Sequence, residues 1–270
     1  MALKRRSKKK SKHIKSRKFA DMLKKVYLNG VIEECLLSVE AGHGTIEAVD
    51  MTNSLIVSTN GNIMHKSVNQ DFGLGNLDLL IKFLNSIDEK VSIQTSDLYL
   101  TLKRKDERRR LEYLLTQPEL ISTLIYDDEQ EKKKDVYEQI IKTATIAADL
   151  NHAFIKDFLS YIGILKVKDT IIKFDNNELT FTCGSTDSHK FNLILDSDVE
   201  TEGEEIETES RINGEHLAKV LGAIDFEDDD PPVIMMSEDG PVIIEHGSAM
   251  WAMSSLYETD EESMDENMEN

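Results

Sequence analysis

The sequence is short of cysteine and of long apolar runs. Its 270 residues include two cysteines, Cys35 and Cys183, and neither forms a Cys-x-x-Cys pair or stands beside a histidine at ligand spacing. This usage excludes a disulfide-stapled secreted scaffold and fits reduced, structural thiols. No apolar run approaches the roughly 18 residues of a membrane span, and the basic N-terminus precedes no apolar h-region of a signal peptide. We therefore expect an intracellular protein with no membrane association.

The sequence also lacks the motifs of common enzyme classes. It has no GxxxxGK[ST] loop, no GxSxG elbow and no HExxH helix, and the pair Gly73 and Gly75 stops short of a GxGxxG loop. His43 and His246 are predicted to be turn or strand residues rather than metal ligands. The acidic run at 225–230 lacks the alternating acids, central glycine and closing glutamate of a calcium loop. The sequence thus predicts a non-enzymatic protein without a metal or cofactor.

Charge of both signs is plentiful but unevenly distributed. The formal net charge is −19, yet residues 1–18 carry ten basic residues and no acidic one. Residues 196–209, 225–230 and 257–270 carry eight, five and seven acidic residues and no basic one. Each acidic run taken alone fits a solvated loop or a disordered tail that keeps the protein soluble.

A short helical pattern occurs four times. Each copy has an apolar residue, a second apolar residue or alanine, a lysine, any residue, and an apolar residue. The copies lie at 22–26, 80–84, 154–158 and 217–221. Around the first, second and fourth copies, apolar residues recur at i, i+3, i+4 and i+7, which indicates one buried helix face. Asn76 and Asn213 are expected to cap helix N-termini, whereas Gly30 and Gly163 are expected to end the first and third helices.

The second and fourth copies belong to a longer match. Six residues recur with a constant displacement of 137 positions, which indicates a duplicated domain. They are Asn76, Leu80, Lys82, Leu84, Ile87 and Asp88, matched by Asn213, Leu217, Lys219, Leu221, Ile224 and Asp225. After each helix the apolar period changes toward two, which predicts an antiparallel meander. The predicted strands are 34–39, 44–49, 91–95, 98–103, 170–174, 179–183, 233–236 and 241–246.

These patterns predict an α+β chain of two similar domains, each with two helix-plus-meander units. The expected segments are a flexible basic extension (1–18), a first domain (19–117), an interdomain connector (118–137), a second domain (138–257) and an acidic disordered tail (258–270). Pro118 opens the connector, which is otherwise strongly polar.

The repeated lysines, Lys24, Lys82, Lys156 and Lys219, lie opposite the apolar stripe of their helices and are therefore expected to face away from the core. Solvated lysines on outer helix faces are common, so this register also fits a surface that contacts only water. If all four faced one side, an acidic protein would acquire a locally basic surface suited to sequence-independent, salt-sensitive phosphate contacts. No helix-turn-helix, zinc finger or aromatic RNA-binding signature accompanies them.

Two segments resemble the DNA sliding-clamp family, which includes the proliferating cell nuclear antigen of eukaryotes and archaea and the clamps of T-even phages. One is GTIEAVD at 44–50 with the apolar residues 55–57, and the other is MSEDGPVIIE at 236–245. The similarity spans about residues 15–257. It implies the DNA clamp fold, with helices lining the hole of a homotrimeric ring and sheets outside.

The resemblance also implies partners and site residues. The partners would be duplex DNA, a DNA polymerase and an ATP-dependent clamp loader, on replicating DNA in a cell, with a viral origin and a nuclear location both open. The DNA-facing residues would be Lys15, Arg17, Lys18, Lys24, Lys25, Lys82, Lys156 and Lys219. The groove that binds partner peptides would contain Asn53, Leu124, Ile125, Pro241, Leu256 and Tyr257. Leu124 and Ile125 could instead complete the last strand of the first domain.

Two features depart from the family pattern. The basic extension could be a DNA-contacting arm, a targeting signal or a solubilising segment. The acidic tail is longer than a minimal clamp needs, and it begins beside the expected groove. The alternative to a clamp is an acidic, non-ring scaffold or chaperone for basic nucleic-acid-associated proteins, which explains the acidic runs but not the fourfold helix register.

Overall fold

A computed structural model describes residues 12–14, 16–87, 91–96, 98–104, 110–123, 140–165, 168–184, 189–201, 207–226, 230–238 and 240–256. Four helices stand where the sequence pattern predicts them. They are α1 (Ser16–Tyr27), α2 (Leu77–Asn85), α3 (His152–Leu165) and α4 (Gly214–Leu221). The predicted apolar stripes are buried, with Phe19, Leu23 and Val26 of α1 fully inaccessible to solvent. The helical period therefore identified the core-facing sides correctly.

Asparagine side chains cap three of these helices. The Asn76 carboxamide oxygen accepts a hydrogen bond from the Leu79 amide at 3.3 Å, and that of Asn213 accepts from the Glu215 and His216 amides at 2.9 and 3.1 Å. Asn151, which sequence reasoning did not single out, accepts from the Phe154 amide at 2.8 Å. Both predicted caps are confirmed, since each satisfies amides that a helix start leaves without a partner.

The two predicted glycine stops differ in outcome. Gly30 follows α1 with a φ of 96°, in the left-handed region that glycine adopts readily, so that prediction is confirmed. The prediction for Gly163 is wrong, because α3 continues through it to Leu165. Phe158 and Ile162 are buried before this position and Leu165 packs against the core after it, and this packing outweighs the helix-weakening effect of one glycine.

The strands follow the helices as antiparallel meanders. They are β1 (Lys12–Ile14), β2 (Cys35–Glu40), β3 (His43–Val49), β4 (Leu55–Asn62), β5 (Gln70–Leu74), β6 (Val91–Thr95), β7 (Tyr99–Arg104), β8 (Arg110–Leu114), β9 (Ile146–Asp149), β10 (Asp169–Asp175), β11 (Glu178–Cys183), β12 (Phe191–Ile194), β13 (Val199–Thr201), β14 (Thr208–Asn213), β15 (Val233–Met236), β16 (Val242–His246) and β17 (Ala249–Met253). After α1, α2, α3 and α4 the meanders are β2–β4, β6–β8, β10–β12 and β15–β17. The predicted helix-plus-meander unit is confirmed in all four places.

The strands form three sheets. Two have four strands, in the orders β1-β6-β7-β8 and β12-β11-β10-β14. The third has nine strands, in the order β13-β9-β15-β16-β17-β4-β3-β2-β5. It joins the two halves of the chain where β17 pairs with β4, with Trp251 opposite Val57.

The helices pack in pairs, α1 with α2 and α3 with α4, over a continuous apolar core. The fully buried Trp251 links β17 to α1, because its Nε1 donates a hydrogen bond to the Lys25 carbonyl at 2.9 Å. The alternate residues of β15–β17 point to the other face of the central sheet. There a second, smaller cluster includes Met235, Ile243 and Met250.

The structure describes the predicted extension, connector and tail only in part or not at all. Residues 12–14 form a strand and α1 begins at Ser16, so regular structure starts inside the segment expected to be a flexible extension. In the expected connector, Pro118–Leu120 form a 3-10 helix, and residues 124–139 lie outside the description. The expected acidic tail also lies outside it.

Candidate DNA-contacting and partner-binding surfaces

The four repeated lysines lie on the solvent side of their helices. The side chains of Lys24 and Lys82 are 48% and 73% exposed, Lys156 is exposed, and Lys219 is half-buried. Each stands opposite a buried stripe, for example Leu80, Ile81 and Leu84 on α2. These side chains are therefore available to a ligand on the helix side of the molecule.

Each of these lysines has an acidic neighbour on its own helix. The Lys24 amine lies 2.9 Å from a carboxylate oxygen of Asp21, and the Lys82 amine lies 2.6 Å from one of Asp78. The hydrogen bond that Lys82 donates to Asp78 and the negative charge of that carboxylate raise the pKa of Lys82 above its ordinary value. Asp157 follows Lys156 directly, and Glu215 stands one turn before Lys219. The formal charges of α2, α3 and α4 are consequently zero, which the lysine register alone did not predict.

Helix α1 is different, because it carries four basic residues and one acid. Arg17 and Lys18 are exposed in its first turn, which contains no acidic residue, and Lys25 is half-buried near its end. In the described part of the chain neither Arg17 nor Lys18 has an ion-pair partner. Among the candidate DNA residues, positive charge is thus concentrated on α1, whereas Lys15 lies outside the described residues.

Sequence reasoning missed a basic side chain on β7, two strands away from the β1 strand that leads into α1. Arg104 pairs with Val91, which in turn pairs with Ile14, directly before the helix. It shares a strand face with Leu100 and Leu102, which lie in the core beneath the helices. Residues 103–110 contain six basic residues, so the signal was present in the sequence. Arg110, at the other end of that run, forms an ion pair with Glu112.

A carboxylate organises the turn that presents Asn53. The Asp50 side chain accepts hydrogen bonds from the Ser54 and Leu55 amides at 2.7 Å each, and from the amide and hydroxyl of Thr52. Burial acts to raise the pKa of Asp50, but these hydrogen bonds stabilise the carboxylate more, and its pKa lies below the ordinary value. The turn is therefore rigidly built, and it holds Asn53 exposed with a φ of 56°.

Three segments that supply the expected partner groove lie together. The Ser254 amide donates to the Ser54 carbonyl at 2.9 Å, and the Ser255 hydroxyl donates to the Gly240 carbonyl at 2.9 Å. The bonded residues are next to Asn53, Pro241 and Leu256 in the sequence, so these three residues lie on one surface. Leu256 is 36% exposed, and the same surface includes Met51, which sequence reasoning missed and which is 99% exposed. Leu124, Ile125 and Tyr257 lie outside the described residues.

The two four-stranded sheets end in β8 and β12, which pair with no further strand in the described chain. Exposed apolar side chains accompany both edges. Leu114 lies on β8, with Leu98 and Tyr99 beside it at the start of the neighbouring β7, and Ile194 lies on β12. On α3, Tyr161 is 45% exposed and packs its ring 4.9 Å from that of Phe191 in β12. Open edges with apolar residues are suited to pairing with another chain.

Within the described residues, no three His, Cys, Asp or Glu side chains are grouped as metal ligands would be. No described helix has the length and apolar character needed to cross a membrane.

Comparisons with known proteins give a match through structure and none through sequence. No protein-family profile and no curated protein sequence matches the chain. The crystal structure of PCNA from Thermococcus kodakaraensis is similar, with a TM-score of 0.68 over 91% of this chain and 99% of that chain. The chain has the sliding-clamp fold. A DNA polymerase sliding clamp from Pseudomonas aeruginosa gives a TM-score of 0.67 over 95% of this chain and 69% of that one.

Sequence identity to both clamps is 13%, so the likeness identifies the fold and does not transfer residue roles. The predicted α+β clamp fold is confirmed. Within that fold, the basic residues of α1 and Arg104 lie on the helix side. The groove segments around Asn53, Pro241 and Leu256 converge at the end of the central sheet where β17 finishes.

Proposed function

We propose that this chain is a subunit of a non-enzymatic DNA sliding clamp that encircles duplex DNA and tethers a DNA polymerase. The observation that carries the proposal is a clamp fold extending over nearly the whole chain, with a basic helix on the side opposite the sheets. A processivity factor needs contacts that hold DNA without reading its sequence. Lysine and arginine contacts to phosphates have that property.

Ring closure would use the open edges of the two four-stranded sheets. Pairing β8 of one copy with β12 of the next makes a head-to-tail interface, and such interfaces close into a ring when the rotation permits. This contact would cover Leu114 and Ile194, which are now 63% and 57% exposed. By resemblance to the family, the ring would contain three copies.

The polymerase would bind beside the Asp50 turn. Met51, Asn53, Pro241 and Leu256 would form one side of a groove for a short peptide with apolar anchors, because anchors buried in a preformed groove supply most of a small interface's affinity. Leu124, Ile125 and Tyr257 would complete the groove. An ATP-dependent clamp loader would open the ring for loading onto replicating DNA inside a cell.

Sedimentation equilibrium with negative-stain imaging tests the proposal. A clamp should sediment at three times the 30.7 kDa of one chain and show three-fold rings. A stable monomer at micromolar concentration would contradict the ring and favour an acidic scaffold for basic proteins. The acidic composition of the second half is the observation that keeps this scaffold as the second candidate.

A further inference from the structure

The exposed face of α1 is a basic surface whose positive charges have few acidic neighbours on the same helix. Arg17, Lys18, Lys24 and Lys25 face a single acid, Asp21, on the same helix. Asp21 is engaged by Lys24 at 2.9 Å, which leaves the first turn wholly positive. The exposed faces of α2, α3 and α4 have no such excess. A strongly acidic chain therefore presents one helix to which an acidic segment would be drawn.

The chain leaves the described fold close to this helix. Two contacts give the direction of α1 over the sheet. The Met22 sulfur packs over Gly61, 3.1 Å from the position that a Cβ atom would take there. The Lys25 carbonyl accepts a hydrogen bond from the Trp251 indole. Gly61 is near the end of β4, and Trp251 lies opposite Val57 near its start. The C-terminal half of α1 thus points to the end of the sheet where β17 finishes.

The last described residue, Leu256, lies at that same end. Its amide donates to the Arg211 carbonyl at 2.6 Å, which anchors the point from which residues 257–270 continue. Leu256 is five positions after Trp251, a span of at most about 17 Å, and the fourteen residues that follow reach up to about 46 Å further. Since α1 is only about 18 Å long, its whole basic face lies within reach of those residues.

Residues 257–270 have the complementary charge. They contain seven acidic residues and no basic one. A segment tethered this close has a high effective concentration at its target, so individually weak ion pairs suffice for partial occupancy. We propose that the acidic segment 257–270 docks on the basic face of α1 formed by Arg17, Lys18, Lys24 and Lys25. The docked segment is held by charge and is released by salt.

This docking gives the clamp a built-in competitor for DNA, an extension that rests on the proposed function. Phosphates and the carboxylates of 257–270 would require the same side chains, so DNA that enters the ring must displace the segment. The competition would weaken the binding of isolated or misplaced DNA most. Such DNA makes the fewest phosphate contacts, so it displaces the acidic segment least effectively.

Zero-length cross-linking tests the docking without DNA. A carbodiimide joins lysine amines to carboxylates in contact with them, and the full chain at low salt should give cross-links from 257–270 to Lys18, Lys24 or Lys25. The variant Arg17→Glu with Lys18→Glu should lose most of the cross-links at Lys24 and Lys25, because it reverses charge without removing those amines. Cross-links from 257–270 to Lys103 or Lys142 instead of α1 would overturn the proposal. Equal cross-link yields in the wild type and the variant would also overturn it. So would the absence of cross-links to α1, which would place the segment beside Leu256.

DNA affinity tests the competition separately. A chain ending at Leu256 should bind short duplex DNA about three- to ten-fold more tightly than the full chain at low salt, with the difference vanishing as salt rises. Replacing the five acids of 225–230 by their amides is the matched control and should have a much smaller effect. Equal affinities of the full and shortened chains would overturn the competition. Absence of DNA binding by both would contradict the proposed function and leave the cross-linking result to decide the docking.

Discussion

The first and second halves of the chain differ in charge far more than in architecture. Both place two helices over antiparallel meanders, yet residues 1–117 hold 21 Lys or Arg against 14 Asp or Glu, whereas residues 118–270 hold 11 against 37. The apolar stripes and asparagine caps that build the units recur in both halves. Fold is thus maintained by a few buried and capping positions, while the exposed positions are free to carry opposite charge.

This difference has a use in a head-to-tail ring. Pairing of β8 with β12 would set the first half of one copy against the second half of the next, so the basic half would meet the acidic half. Complementary potentials accelerate the encounter and disfavour wrong partners, such as two first halves. The same polarity would leave DNA contact mainly to α1.

The largest effect should come from breaking the junction between the halves. Trp251→Ala should lower the free energy of unfolding by about 3–5 kcal/mol, because a fully buried indole that packs both halves is replaced by a cavity. Trp251→Phe keeps most of the volume but loses the hydrogen bond to the Lys25 carbonyl, and should cost about half as much. Urea denaturation measures both. Equal costs for the two variants would show that the hydrogen bond, and not the packing, holds the junction.

The edge of the first half should be next most sensitive. Leu114→Asp should abolish assembly, because it places a charge where the proposed interface would bury a leucine that is now 63% exposed. Leu120→Asp is the matched control, since Leu120 is 68% exposed and lies in the 3-10 helix that contacts β5 of the central sheet. Size-exclusion chromatography with light scattering distinguishes ring from monomer. Intact rings of Leu114→Asp would exclude β8 from the interface.

The turn of Asp50 makes the junction sensitive to acid. Because the folded-state pKa of Asp50 lies below its ordinary value of 3.8, its stabilising contribution is fully present above that value and is lost as the pH falls through the folded-state pKa. Asp50→Ala should cost about 1–3 kcal/mol at neutral pH, through several amides left without their acceptor. The difference in unfolding free energy between wild type and variant should narrow below about pH 4. A gap that is constant from pH 7 to pH 3 would contradict this account.

Local patterns were sufficient for much of this architecture. Stripes such as Phe19, Leu23 and Val26 and the caps Asn76 and Asn213 depend on neighbours a few residues away, so the sequence displays them directly. Gly163 was misjudged because α3 is held by packing on distant strands, as of Phe158 against Phe181 and Phe191, which sequence spacing does not show. The open edges of β8 and β12 depend on sheet order, which no local pattern encodes.

The candidate surfaces were less predictable than the fold. The lysine register indicated the solvent side of each helix, but not that Asp21 and Asp78 engage two of the lysines. Arg104 was overlooked because its proximity to α1 depends on the pairing of β1, β6 and β7. The convergence of the segments around Asn53, Pro241 and Leu256 was anticipated only through family resemblance, since residues so far apart are joined by hydrogen bonds that sequence spacing cannot show.

The charge difference between helices should appear in DNA binding. Arg17→Ala with Lys18→Ala should weaken duplex DNA binding about ten-fold and flatten its dependence on salt, because each lost phosphate contact removes released counterions. Lys156→Ala with Lys219→Ala removes the same formal charge from helices that are neutral overall, and should weaken binding only about two-fold. Fluorescence anisotropy over a salt series measures both slopes. Equal effects would show that the four helices contribute alike.

The smallest expected effect is a gain, obtained by making α2 resemble α1. Asp78→Asn leaves Lys82 without its partner 2.6 Å away and gives the exposed face of α2 one net positive charge. Affinity for duplex DNA should rise about two-fold at low salt, because Lys82 no longer has to break its ion pair with Asp78 before it contacts a phosphate. Stability should fall by about 0.5–1 kcal/mol, since Asp78 stands in the first turn of α2 and precedes Lys82 in the favourable i, i+4 orientation.

Asp157→Asn on α3 is the control for formal charge, because no ion pair between Asp157 and Lys156 is formed. If both variants raise affinity equally, the net charge of the helix side matters and the Asp78–Lys82 pair does not. If Asp78→Asn leaves affinity unchanged while stability falls, Lys82 does not contact DNA.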